Sequence, residues 1–226
     1  MKPELDTLEQ RLVGVLVEKE RTVPDAYPLT VNSLVLGANQ KNNRDPHTNI
    51  QESQVEAGLR SLMAGGWVLE HDREGGRVRR YSHQAGQRLG VDAASLALLA
   101  ELLLRGAQAA GELRTRAERM HAQGTLEEVE QRLAALAARP VPLVRRLERG
   151  PGERAPRWTH LLGLADEAPA TGSATAAARS PAPARVPAAP ATPAAAPEAQ
   201  HLEQLAERLA ALEERVARLE GRGAHP

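Results

Sequence analysis

The chain has 226 residues, 42% of them hydrophobic, and its 29 Lys and Arg balance 29 Asp and Glu. That length allows one or two domains with a tail, and the balanced charge by itself argues for neither nucleic acid nor membrane. The absence of cysteine excludes disulfides, thiolate metal sites and cysteine nucleophiles, and with no Phe, two Trp and two Tyr there are too few rings for a base-stacking single-strand binder.

The N-terminus, MKPELDTLEQ, is charged and has no apolar signal region, so a cytoplasmic location is expected. The longest apolar run, Leu96–Leu104, is broken by Glu101 and is too short to span a bilayer. Leu5, Leu8, Leu12, Val15 and Leu16 recur at helical spacing and predict a first helix over 6–20. Pro24 and Pro28 then enforce an extended connector. Thr30 is placed to cap a second helix, whose inner face is Val31, Leu34, Val35 and Ala38. After it comes the polar run Asn39, Gln40, Lys41, Asn42, Asn43, Arg44 and Asp45, closed by Pro46. Such a run is either a contact surface or a helix end satisfied by amide side chains.

A third helix is expected over Gln51–Ala64, with Val55, Leu59, Leu62 and Met63 on one stripe and a cap from Asn49 with Glu52 or from Ser53 with Glu56. Gly65 and Gly66 end it. Trp67–Glu70 and Arg77–Ser82 flank a Gly-containing turn, which predicts a β-hairpin.

The order then repeats. Asp92 caps a helix carrying Leu96, Leu99 and Leu103; Gly111–His121 gives a second; Thr125 with Glu128 forms a capping box for a third. The stripe Val129, Leu133, Leu136 and Ala137 lies 74 positions after the stripe of the first half. A second hairpin is expected from Leu143–Arg149, a Gly150-Pro151-Gly152 turn and Pro156–Leu161. Arg157-Trp158-Thr159-His160 echoes Arg80-Tyr81-Ser82-His83 at a spacing of 77. The expectation is therefore α+β: tandem winged-helix domains over 1–86 and 87–165.

Residues 166–199 shift to Ala, Pro, Ser and Thr, with seven prolines, the composition of a disordered linker. Over 200–222, Leu202, Leu205, Leu209, Leu212, Val216 and Leu219 form a heptad seam. Arg208 and Arg215 at g face Glu213 and Glu220 at e in a parallel pair, which favours a homodimer; the alternative is one amphipathic helix folding back on the domains.

The Tyr27–Asn32 and Asn39–Pro46 segments, Leu103–Gln108, Gly111–Ala117 and Pro156–Leu161 together resemble the YceH family of uncharacterised bacterial proteins. The resemblance spans about residues 5–162 and implies tandem winged-helix domains with no established activity; the linker and heptad tail depart from it.

Winged helices bind duplex DNA with the third helix in the major groove and the hairpin on the backbone. Gln51, Gln54, Arg60, Gln131 and Arg132 would be the readers, but Glu52, Glu56, Glu127, Glu128 and Glu130 stand beside them. Arginines gather elsewhere: Arg73, Arg77, Arg79 and Arg80 in the first hairpin; Arg145, Arg146, Arg149, Arg154 and Arg157 in the second; Arg114, Arg116 and Arg119 on the second helix of the second half. They suit phosphate contacts, or else form solvated faces partly paired with Glu148 and Glu153. No phosphate-binding Gly-rich loop or H-E-x-x-H is present and the seven histidines are scattered, so no enzyme, metal or cofactor is expected. Two readings stand: a DNA-binding regulator with arginine wings, and a protein-interaction adaptor working through the Asn39–Asp45 run.

Overall fold

A computed structural model of the chain describes residues 4–72, 78–150 and 155–163, all within one compact unit, Met1–Ala174. The fold is α+β, with seven α-helices and two small antiparallel sheets among the described residues. The expected linker, the heptad seam, the first hairpin turn and Pro151 and Gly152 of the second lie outside those residues.

Helix α1 (Thr7–Thr22) begins at Asp6, which accepts from Glu9 N at 2.7 Å while the Glu9 carboxylate accepts from Asp6 N at 2.9 Å. This closed capping box satisfies two donors that the first turn leaves without helical partners. From Glu9 to Glu18 every residue of α1 is buried, because helices pack on it from all sides. Helices α2 (Val31–Ala38) and α3 (Glu52–Ala64) cover one side; α5 (Ala93–Arg105) covers another. Glycine makes the close crossings possible: a Cβ on Gly14 would sit 2.8 Å from Leu104 Cγ of α5, and one on Gly37 of α2 would sit 2.7 Å from Val15 Cγ1.

Thr30 caps α2 as expected, accepting from Ser33 N at 3.2 Å. The cap of α3 is neither expected pair: the Gln54 side chain reaches back to accept from Gln51 N at 2.8 Å. A carboxamide oxygen accepts as a carboxylate does, so Gln51 and Gln54 serve at the required three-residue spacing. Strands β1 (Val68–His71) and β2 (Arg80–His83) pair with Val68 opposite His83 and His71 opposite Arg80. Leu29 adds a bridge, exchanging bonds with Tyr81 at 3.0 and 2.8 Å.

A short helix α4 (Ala85–Leu89), not expected from the sequence, joins the halves and ends at Gly90, whose φ of 60° is readily available to glycine. In the second half, α5 starts at Asp92, which accepts from Ser95 N at 2.8 Å. Strand β3 (Gln108–Ala109), also unanticipated, leads into α6 (Ala110–Ala117). Helix α6 ends four residues before the expected His121, and Ala117–His121 turns away instead. Helix α7 (Leu126–Ala137) carries the expected capping box, Glu128 N donating to Thr125 Oγ1 at 3.2 Å and Thr125 N to Glu128 Oε2 at 2.7 Å. Strands β4 (Val144–Arg146) and β5 (Arg157–His160) pair, and β3 joins the far edge of β5. Gln108 opposite Trp158 in the second half corresponds to Leu29 opposite Tyr81 in the first.

Each half thus runs through three principal helices and a pair of strands, but the halves share one continuous core. Leu12, Leu16, Leu98, Leu102 and Leu104 are fully buried where α1 crosses α5. Leu5, at the start of the first half, donates its N–H to Leu162 O at 2.8 Å, at the end of the second. At about 1.5–3 kcal/mol for each buried leucine, this shared seam is a major part of the stabilisation.

Candidate functional site

The Asn39–Asp45 run connects α2 to α3, and the structure divides its residues between two roles. Lys41 and Asn42 are exposed. Asn39 bonds inward, donating to Ile50 O at 2.8 Å and accepting from Ile50 N at 2.7 Å, which pins the loop across itself. Arg44 corrects the outward reading: it is only 4% exposed. Its Nε donates to Gly37 O at 2.9 Å, closing the C-terminal end of α2, and its two Nη atoms grip the Glu18 carboxylate of α1. Gln40 Oε1 accepts from the same guanidinium at 3.2 Å. The planar five-donor head of arginine suits this arrangement.

The loop also crosses to the second half. Asp45 N donates to Leu104 O at 2.9 Å, and Arg105 at the end of α5 bonds Asn43 Oδ1. Asn43 has φ of 63°, which asparagine tolerates better than most residues. Buried Arg11 donates to Leu104 O at 3.1 Å and Pro46 O at 2.7 Å. Burial, with the nearby Arg44 charge, lowers the Arg11 guanidinium to about 10 against the pull of Asp45. Arg119 completes the join, donating from Nη2 to Glu101 of α5 at 2.5 Å and from Nη1 to Glu18. Burial pushes the Glu18 carboxyl up, but the hydrogen bonds and charges of Arg44 and Arg119 together outweigh it and hold the group below its usual range. The amide run is therefore chiefly a clasp between the halves, with Lys41 and Asn42 as its exposed tip.

The hairpin arginines fall into two groups. In the first half, Arg79 lies 3.3 Å from Glu70, and Arg80 donates to Pro28 O at 2.8 Å and Ala26 O at 3.2 Å. Arg77 lies outside the described residues. In the second half, Arg145 and Arg146 are both exposed on β4, with no ion pair among the described residues. Arg114 is exposed and donates to Gly124 O at 3.3 Å; half-buried Arg116 donates to Gln108 Oε1 at 2.5 Å and lies 3.5 Å from Glu112.

On the outer face of α3, Gln51, Glu52, Gln54, Glu56 and Arg60 are exposed. On α7, Glu127, Glu130 and Gln131 are exposed, Gln131 donating to Glu127 at 3.3 Å, whereas Arg132 is half-buried. No group of His, Asp or Glu that could hold a metal occurs among the described residues. No described helix is long and apolar enough to cross a membrane.

The two histidines at equivalent strand ends have equivalent local partners: Ala85 N donates to His83 Nδ1 at 3.3 Å and Leu162 N to His160 Nδ1 at 3.4 Å. Each imidazole terminates its strand by accepting from the backbone two residues on. Nε2 of His83 faces Glu20 at 3.4 Å, and burial holds the ring below its ordinary range despite that carboxylate.

Residues 5–153 match the family described as a protein of unknown function, DUF480. A UPF0502 protein of Leptothrix cholodnii is 49% identical over 162 residues, covering 72% of each chain. One of Geobacter sulfurreducens is 50% identical, covering 70% of this chain and 72% of its own, and one of an Azoarcus species is 46% identical over 77% and 78%. The family match takes in the Asn39–Asp45 clasp and most of both halves, and the chain belongs to the DUF480/UPF0502 family of uncharacterised bacterial proteins.

Proposed function

We propose that the chain is a non-enzymatic tandem winged-helix protein that contacts the phosphate backbone of duplex DNA, self-associating through its C-terminal heptads. One observation carries this reading: Arg145 and Arg146 stand exposed on β4, the strand that corresponds to the wing, without an internal partner among the described residues. Exposed guanidiniums on an extended strand suit phosphate oxygens, which position a protein without reading sequence. The acidic faces of α3 and α7 disfavour deep groove reading, so binding is expected to have weak sequence preference. Pairing two such units through Leu202–Leu219 raises the effective concentration of the second on one duplex.

The test is duplex binding across a salt series with the full chain and a variant carrying Arg145→Ala and Arg146→Ala. The reading expects a steep loss of affinity with salt, and a slope shallower by about one for each phosphate contact removed. Undetectable binding at low salt, or a double variant with unchanged affinity and slope, overturns it. Sedimentation of the full chain beside a 1–165 truncation tests the dimer, which the truncation should lose.

A second reading, a protein-interaction adaptor, draws on the first half. There Leu69 on β1 is 47% exposed, Val78 before β2 is 60% exposed, and Leu36 on α2 is 63% exposed. Apolar side chains on a hairpin whose Arg79 and Arg80 have internal partners suit a protein better than a phosphate.

A further inference from the structure

Strand β4 is the outer strand of its sheet, in which the order is β3-β5-β4. Its register against β5 fixes which way each peptide group points. Leu147 N donates to Arg157 O at 2.7 Å, and Leu143 O accepts from Leu161 N at 2.8 Å. The residues that bond across this antiparallel ladder are therefore Leu143, Arg145 and Leu147. Arg146 and Glu148, both exposed, turn their N–H and C=O groups to the open side of the sheet. The matching outer strand of the first half, β1, carries no arginine, and its Glu70 lies 3.3 Å from Arg79.

Side chains alternate along this extended segment, so Arg145, Leu147 and Arg149 fall on one face and Arg146 and Glu148 on the other. All but half-buried Leu147 are exposed, and the three arginines have no hydrogen bond or ion pair from their side chains among the described residues. An open strand edge ordinarily invites a second copy of itself. Here two such segments, each with three arginines and one glutamate, repel one another. Phosphate oxygens would answer the guanidiniums, but they offer no donor to the edge carbonyls of Arg146 and Glu148. An extended acidic peptide answers both.

We infer that β4 takes up an acidic segment of another protein as an added strand, and that this segment displaces duplex from the same arginines. The positions along β4 select its sequence. In antiparallel pairing the residues opposite Arg149, Arg146 and Arg145 are acids, the one opposite Leu147 is apolar and the one opposite Glu148 is neutral, which is the order Glu-Thr-Val-Glu-Glu. Facing side chains in such a ladder have Cβ atoms about 4.5–5.5 Å apart, within reach of ion pairs. The backbone bonds of Arg146 and Glu148 supply the attachment, and the arginines exclude neutral or basic strands. The displacement rests on the duplex reading given above; the strand addition does not.

The probe is a fluorescently labelled peptide, Thr-Glu-Thr-Val-Glu-Glu-Thr, titrated by anisotropy with the full-length protein at low salt and without DNA. Saturable binding is expected, weakened roughly threefold or more by Arg145→Ala with Arg146→Ala and lost when lysine replaces each glutamate of the peptide. A ladder uses every second amide of the added strand. N-methylation of one alternating set of peptide amides should therefore abolish binding, while N-methylation of the other set leaves it intact. The unlabelled peptide should also release bound duplex as it fills the site. Failure of the acidic peptide to bind overturns the inference. So does equal binding by the two N-methylated peptides, which would mark plain charge attraction without strand pairing. Peptide and duplex bound at the same time overturn the displacement. Because the titration contains no DNA, its failure is told apart from failure of the duplex reading.

Discussion

Glu18 of α1 and Arg119, 101 residues apart in the chain, form an ion pair across the junction of the two halves. Arg119 comes from the turn after α6, and its other Nη bonds Glu101 of α5. Arg44, out of the amide run, grips both oxygens of the same Glu18 carboxylate. One carboxylate thus gathers a loop of the first half and a turn of the second onto the central helix. This fixes the halves as a single body, so any partner meets both in one geometry.

Removing the Glu18 charge should be costly and pH-dependent. Glu18→Gln leaves Arg44 buried without its counter-ion, and breaking a buried pair from one side costs about 3–5 kcal/mol. Since the folded carboxyl lies below its usual 4.5, its contribution is fully present above that value and is lost as pH falls through the folded value. Urea unfolding of wild type and Glu18→Gln should therefore show a large gap at neutral pH that narrows in acid. A gap that stays constant down to acid unfolding would show that the carboxylate charge is not the source.

Much of the architecture was legible because it is periodic. The 74-residue repeat of Val55, Leu59 and Leu62 in Val129, Leu133 and Leu136 marked α3 and α7, and all six side chains are buried. The caps at Thr30, Asp92 and Thr125 follow from local chemistry. Less legible were β3, with two residues too short for any alternation, and α4, with five residues too short for a helical stripe. The role of Arg44 was hidden for another reason. Exposed and buried arginines look alike in sequence, and its partner Glu18 lies 26 positions away. One signal was available: α1 carries Arg11 and Glu18 within a segment buried on every side, and buried charges require partners.

The crossing of α1 and α5 should be intolerant of even one methyl group. Gly14→Ala would ordinarily favour a helix by about 1 kcal/mol. Here the new Cβ would lie 2.8 Å from Leu104 Cγ, a fully buried side chain with no room to withdraw. Overpacking of this kind costs about 1–3 kcal/mol, so the substitution should lower the denaturation midpoint. An increase would mean that the halves can separate there without loss.

Arg80 and Arg145 occupy opposite hairpins and should respond differently to the same substitution. Arg80 ties β2 to the connector before α2 through the carbonyls of Ala26 and Pro28, next to the point where Leu29 pairs with Tyr81. Arg80→Ala removes both hydrogen bonds made by its Nη1, at about 1.5–3 kcal/mol for each such bond when fully formed and less here because the site is partly wet. Its effect should appear as a lower unfolding midpoint, with the salt slope of duplex binding unchanged. Arg145→Ala, on an exposed strand position without an internal partner among the described residues, should shift stability by less than about 0.5 kcal/mol and lower duplex affinity. Parallel thermal unfolding and salt-series binding on the two variants check both halves of the expectation. Equal loss of binding in both would place the duplex on the first hairpin too and remove the asymmetry on which the β4 assignment rests.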